Sequence, residues 1–396
     1  MPLSKRIYWA ITALGTSPES SGAAGPDGET ASEASNFVPG VQSVGITTTF
    51  NLEQVFELGQ LELYQDVEEV PDIEVSVERI IDEHILMYTR CVAPSSPSGS
   101  KSISSIQNNK CDIFMSVHPD SSDNSGDSVP DAIVHCSGMY LSNVSYNFAV
   151  DGNMTESVTL VGNHKRWRRG ISGGDGDAAS EWSDGSGGAG QVFAASHNIR
   201  GLPSSTNIHG AASLALVKRR QNLLYELPPS CGYKQGLNAD LRKNNSDPNN
   251  VKLNSASVSC DFGREAINVL GQKLPYHRYV TYPVEVTCDL EVTVTDIRGQ
   301  GVSALPETSN LTEELIRFRI VTSTDANIAT IDLGAKNKLT SVTWGGSDTG
   351  GGNATLSYSY RNFNKMDITS HASTYSIHIK ADGSTQNITD YTATIT

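Results

Sequence analysis

The residue types that most often carry chemistry are present but scattered. Six cysteines (Cys91, Cys111, Cys136, Cys231, Cys260, Cys288) and nine histidines occur without a C-x-x-C pair or a histidine at zinc-ligand spacing. The thiols therefore read as small buried apolar groups, with bridges formed in an oxidising medium as the alternative. No G-x-S-x-G, H-E-x-x-H or phosphate-binding loop occurs. Gly173-Gly174-Asp175-Gly176-Asp177 resembles part of a calcium loop but lacks the D-x-D-x-D-G register and its closing glutamate. The adjacent Glu68 and Glu69 are an ordinary feature of an acidic loop and do not specify glycoside chemistry. The expectation is a chain that is not an enzyme and uses no metal or cofactor.

Composition points to structure instead of catalysis. The chain has 396 residues and a net charge of −15, which disfavours a basic face for wrapping DNA. Gly, Ser, Thr and Asn abound, giving a β-rich, turn-rich composition spread over two or three domains. No apolar run reaches membrane-spanning length, and none is expected to enter a membrane. Met1–Gly15 weakly mimics a secretory signal without a cleavage site, and reads as an arm or edge strand. Charge is uneven: residues 41–163 carry −14, whereas 164–250 carry +4 and open with His164-Lys165-Arg166-Trp167-Arg168-Arg169. Lys165, Arg166, Arg168 and Arg169 form a candidate basic contact patch for the acidic region.

The elements that place these residues occur twice. Phe50–Pro71 and Phe262–Pro283 align without gaps at an offset of 212, with seven of 22 positions identical. The matches are Phe50/Phe262, Glu53/Glu265, Leu58/Leu270, Gly59/Gly271, Gln60/Gln272, Tyr64/Tyr276 and Pro71/Pro283. Chance at ordinary residue frequencies gives about one. A second stretch, Leu141–Asn163, aligns with Leu339–Asn364 at offsets of 198 and then 200. The chain thus divides into an N-terminal arm (1–40), a first copy (41–163), a basic Gly-rich linker (164–250), a second copy (251–369) and a C-terminal strand or arm (370–396).

Within one copy, Val41–Phe50 reads as a strand. Asn51, Gln54 and Glu53 then resemble a helix N-terminus, and Gly59 a closing glycine in the left-handed region, so a short helix is expected. Strands Ile73–Ile80 and Val284–Thr295 follow the two prolines, and a hairpin turns across Asp151-Gly152-Asn153. The predicted fold is mainly β: two tandem homologous small β-barrel or sandwich domains, each with one short α-helix.

Together, VQSVGITTTFNLEQVFELGQLELYQDVEEVPDIEVSVERI, YLSNVSYNFAVDGNMTESVTLVGN and DFGREAINVLGQKLPYHRYVTYPVEVTCDLEVTV resemble tail tube proteins of tailed bacteriophages, in a duplicated form. The resemblance implies six units per ring, rings stacked into a hollow tube, and hence a homotrimeric, pseudo-sixfold ring, with a hexamer of whole chains as the fallback. It implies a virion location in the tail after assembly in the host cytoplasm. Sheath, tape measure and baseplate proteins are implied as partners. Double-stranded DNA would pass without specific binding during ejection, through a lumen lined by acids such as Glu68, Glu69 and Asp72. A baseplate ring, tube initiator or tail terminator of the same fold is one alternative. A secreted tandem-sandwich adhesin or carbohydrate-binding protein is another, disfavoured because Trp9, Trp167, Trp182 and Trp344 do not recur between copies.

Overall fold

The computed structural model describes residues 12–18, 36–59, 61–94, 96, 98–105, 109–117, 132–169, 217–228, 231, 252–293, 311–322, 326–346 and 354–371. The first half runs β1 (Thr12–Pro18), β2 (Asn36–Phe37), β3 (Val41–Thr49), β4 (Leu52–Phe56), β5 (Leu63–Glu68), β6 (Asp72–Ile80), helix α1 (Met87–Val92), β7 (Gly99–Ser102), β8 (Cys111–Val117), β9 (Ala132–Ala149), β10 (Thr155–Gly162) and β11 (His164–Arg169). The second runs β12 (Leu223–Glu226), β13 (Lys252–Asp261), β14 (Arg264–Ile267), β15 (His277–Val280), β16 (Glu285–Thr293), β17 (Arg317–Val321), β18 (Asn327–Asp332), β19 (Lys338–Gly345), β20 (Thr355–Phe363) and β21 (Asp367–Ser370). The fold is mainly β, as its Thr-, Val- and Ser-rich alternation requires.

One antiparallel sheet organises the molecule, with the strand path β3-β6-β10-β9-β13-β16-β20-β19. The first four strands and the last four have the same internal order. Strand registers repeat as well. Position 42 is skipped between the paired residues Val41 and Ser43, and position 254 between Leu253 and Ser255, again 212 apart. Position 142 is skipped between Asn143 and Leu141, and position 340 between Ser341 and Leu339, 198 apart. Bulges bend a strand and fix its register, so equivalent bulges give both halves the same local curvature. The halves are not separate sandwiches: β9 of the first pairs directly with β13 of the second, from Ser255↔Ala149 to Asp261↔Asn143.

Alternation gives this sheet two unlike faces. Ile73, Val75 and Val77 point inward with Val144, Tyr146, Val158, Leu160, Val258, Cys288, Leu290, Tyr358 and Tyr360, and form one continuous core. That core is covered by a second layer. Strands β1, β8 and β11 pair around the N-terminal part of β9 beneath the first half. A five-stranded sheet, β12-β17-β18-β21-β7, lies beneath the second, where Phe148 meets Phe318 at 5.5 Å between ring centroids. Residues expected to be an arm or linker are therefore built in: Leu14 of β1 is buried, and β11 and β12 are ladder strands.

The expected helices at 51–59 and 263–271 are absent. Both segments are β-hairpins, β4–β5 and β14–β15. Gly59 and Gly271 sit in their turns at φ +93° and +86°, so the left-handed backbone expected at both is present in a different element. An eight-residue helix is marginal without a surface to pack on, whereas a hairpin satisfies its backbone by pairing. Among the described residues, the α-helix that does occur, α1, lies in the first half, and its cap comes from a strand. Glu156 of β10 accepts hydrogen bonds from the Met87 and Tyr88 backbone N–H groups at 2.7 and 3.0 Å, and from the Tyr146 hydroxyl at 2.9 Å. The Arg79 side chain approaches Glu156 at 3.9 Å and pairs with Asp82 at 2.9 Å. The equivalent positions in the second half are Val292 and Leu356, which cannot cap a helix, and no helix occurs there among the described residues.

Candidate functional site

The face of the main sheet that points away from the core is small and polar. Ser43, Gly45, Thr47, Ser76, Ser145, Ser157, Ser257, Ser259, Thr287, Ser359 and Thr343 alternate with the buried positions and leave a smooth surface. Its charges are mostly acidic: Glu74, Glu78, Asp261, Glu285, Asp289 and Glu291 stand against Lys338 and Arg361. Several groups are tied in place, Ser359 donating to Asp289 at 2.6 Å and Arg361 meeting Glu285 at 3.8 Å. Of the expected acids, Asp72 opens β6, while Glu68 and Glu69 end the β4–β5 hairpin. Burial opposes ionisation of Asp72, but hydrogen bonds from Asn51, Arg278 and Asn163 and the Arg278 charge outweigh it and hold the carboxyl below its usual range. Glu74 and Glu78 belong to the same acidic segment, and the strict D-I-E-V-S-V-E alternation of β6 is the signal that identifies them.

Two edges bound this face. Among the described residues β3 pairs with β6 alone, and β19 with β20 alone. The edges are not equivalent to each other; each is equivalent to a strand that is paired in the middle of the sheet. Strand β3 corresponds to β13, and β19 to the C-terminal part of β9. Exposure records the difference. Tyr146 on β9, beside Val258 of β13, is 1% exposed, whereas its counterpart Trp344 on β19 is 51% exposed. Phe262, just after β13, is fully buried, whereas its counterpart Phe50 is 70% exposed. The Phe262 N–H also donates to the Ser142 carbonyl across the joint at 2.9 Å.

The β14–β15 hairpin reinforces the internal joint by lying on the first half. Arg264 donates to the Leu141 carbonyl at 2.8 Å and stands over the Tyr140 ring at 5.2 Å; burial pushes its pKa down to about 10. Tyr140 and His277 hydrogen-bond at 2.9 Å. Arg278 reaches Asn163 at 2.9 Å and pairs with Asp72. Among the described residues, the β4–β5 hairpin lies on no comparable bed. Leu58 and Leu61 are fully exposed, and Leu52, Phe56 and Tyr64 largely so. The repeat-matched residues thus divide by role. Phe262 packs, while Glu53, Leu58, Gly59, Tyr64, Glu265, Leu270, Gly271 and Tyr276 are exposed hairpin residues; Pro71 and Pro283 lead into β6 and β16.

The hairpin β9–β10 turns at Asp151, Gly152 and Asn153, with Gly152 at φ +120°. Lys165 of β11 donates to the Thr48 hydroxyl, and the side chains of Arg166, Arg168 and Arg169 lie outside the described residues, as does the 173–177 loop. All six cysteines are buried, and burial pushes the Cys136 and Cys260 thiols up to about 12. Among the described residues, no helix is long and apolar enough to cross a membrane.

No protein-family model and no curated protein matches the chain. Among solved structures, 43% of the chain aligns with 95% of the tube-terminating cap of the anti-feeding prophage, at 12% identity and a TM-score of 0.29.

Proposed function

We propose that this protein is a structural subunit of a phage-type tail, in which chains join edge to edge into a closed β-walled ring and rings stack into a tube for passing DNA. The observation that carries this reading is the pair of unlike edges. The internal β9–β13 joint is head-to-tail, and a head-to-tail contact that repeats by rotation closes a ring. Unprotected edges otherwise invite uncontrolled pairing, and ring closure removes them. Transferring the internal register by the offsets of 212 and 198 pairs β3 of one chain with β19 of the next as Ile46↔Trp344, Thr47↔Thr343, Thr48↔Val342 and Thr49↔Ser341.

Six units per ring then need three chains. Eight strands per chain give twenty-four, which at a spacing of about 4.8 Å close a wall about 37 Å across before strand tilt widens it. The small polar face lines this lumen. Its acids repel a polyanion, and its short side chains present few donors to phosphate, so a duplex slides instead of binding.

The test is a cysteine pair, Thr47→Cys with Thr343→Cys, at the positions equivalent to Ser259 and Ser145 of the internal joint. The native thiols are buried, so mild oxidation targets the new pair. Denaturing gels are expected to show a cross-linked ladder ending at three chains, and electron microscopy to show stacked rings. A ladder ending at six supports the hexamer. Single rings without stacks support a ring component elsewhere in the tail. No chain-to-chain cross-link in concentrated, folded protein refutes the joint.

A further inference from the structure

The two hairpins differ in charge far more than in shape. Residues 50–71, around β4–β5, hold six acids (Glu53, Glu57, Glu62, Asp66, Glu68, Glu69) and no base. Residues 262–283, around β14–β15, hold three bases (Arg264, Lys273, Arg278) and one acid, Glu265. Equivalent elements thus carry −6 and +2. Their beds differ in net charge in the opposite sense, because the second bed adds two bases, Lys338 and Arg361, while keeping an acid, Glu285, at the position of Asp72. The β14–β15 hairpin lies on Tyr140, Asn163 and Asp72, with Asp72 its charged anchor. The equivalent bed on the second half is Lys338, Phe363 and Glu285, with Arg361 in place of Val161. Lys338 and Arg361 are exposed cross-strand partners, and Arg361 holds Glu285 loosely at 3.8 Å while covering the Phe363 ring at 5.8 Å.

Resting on the ring reading above, we infer that the β4–β5 hairpin docks on the Lys338/Arg361/Phe363 bed of a neighbouring copy of this chain, and that its inverted charge makes the joint between chains distinct from the joint within them. Inside a chain, a basic hairpin meets an acidic bed through Arg278 and Asp72. Between chains, an acidic hairpin meets a basic bed through Asp66 and Glu68, which occupy the positions of Arg278 and Val280. Exposed Phe56 and Leu58 of the hairpin and the half-exposed Phe363 of the bed supply the apolar contact. The inversion keeps the acidic hairpin off Asp72, so a neighbour does not displace the chain's own β14–β15 hairpin. The two kinds of unit consequently alternate around the ring, because like-charge juxtaposition rejects the wrong pairing.

The experiment is a charge swap in the full chain, read by sedimentation velocity at low and high salt. Lys338→Glu with Arg361→Glu is expected to weaken chain association roughly tenfold or more at about 0.1 M salt, as is Asp66→Lys with Glu68→Lys. All four substitutions in one chain should restore association to within about threefold of wild type, since every joint then carries the swapped pair. Far-UV circular dichroism and the unfolding midpoint confirm that each variant is folded; these positions are exposed, so little change is expected. Wild-type-like association of either double variant, or no recovery in the quadruple variant, overturns the charge code while leaving ring assembly standing. Absence of association by the wild-type chain overturns both.

Discussion

The exposure of Trp344 makes a quantitative prediction about the proposed joint between chains. Its counterpart Tyr146 shows what the site looks like when a strand lies against it: 1% exposed, opposite Val258. Moving Trp344 from 51% exposure to the same depth removes roughly half of a tryptophan surface from water, on the order of 120 Å². At about 25 cal/mol per Å² this contributes about 3 kcal/mol per joint. Trp344→Ala should therefore weaken association of two chains by roughly a hundredfold. A ring containing three such joints should lose far more. The fold of the single chain should barely change, because Trp344 lies on an edge strand outside the core cluster. Sedimentation equilibrium over a wide concentration range measures the first effect, and urea unfolding at dilutions where chains are separate measures the second. Association as tight as wild type, with folding intact, would show that Trp344 is not in the joint and that the transferred register is wrong.

Glu156→Gln should destabilise the chain by about 3–5 kcal/mol in chemical unfolding, because the charge that holds two helix N–H groups, the Tyr146 hydroxyl and Arg79 is removed from a fully buried site. Asp82 predicts the acid limb of stability. Burial raises its pKa, but the His84 hydrogen bond and the Arg79 charge outweigh this and hold it well below the ordinary carboxylate range. Its contribution is complete above the unfolded-state value near 4 and is lost as pH falls toward the folded-state value, so Asp82→Asn should be less stable at pH 7 and show a flatter loss of stability below about pH 4.

Much of this architecture is legible in the residues. The offset of 212 between Phe50–Pro71 and Phe262–Pro283 carries through to strand order and to the skipped positions 42 and 254. The Asp151-Gly152-Asn153 turn and the alternation of β6 likewise read directly from sequence. The hairpins at 52–68 and 264–280 do not. Glu53, Gln54, Leu58 and Gly59 have good local helix chemistry, and nothing in the sequence says that no core lies beneath them to receive an apolar helix face. The fusion of two units into one sheet through β9 and β13 is also hidden, because strand partners more than a hundred positions apart leave no local mark. Exposure finds the site that sequence missed: Trp344 and Phe50 become informative only beside Tyr146 and Phe262.

The asymmetry between the halves follows from what each must do besides pairing. In the first half, the inward positions Arg79 and Glu156 introduce two charges into a strand face that is otherwise apolar, and helix α1 and the Asp82–His84 turn satisfy them. In the second half, Val292 and Leu356 fill the same positions, and β17 and β18 cover the core directly. The buried charges therefore select which covering layer each half accepts: an apolar five-stranded sheet laid over Arg79 and Glu156 would leave both without partners. The same divergence appears on the outside as the opposed hairpin charges. A single repeated unit joined head-to-tail could close with any number of copies in any order. In the proposed ring, two units that differ in covering layer and in hairpin charge can follow each other in one order only.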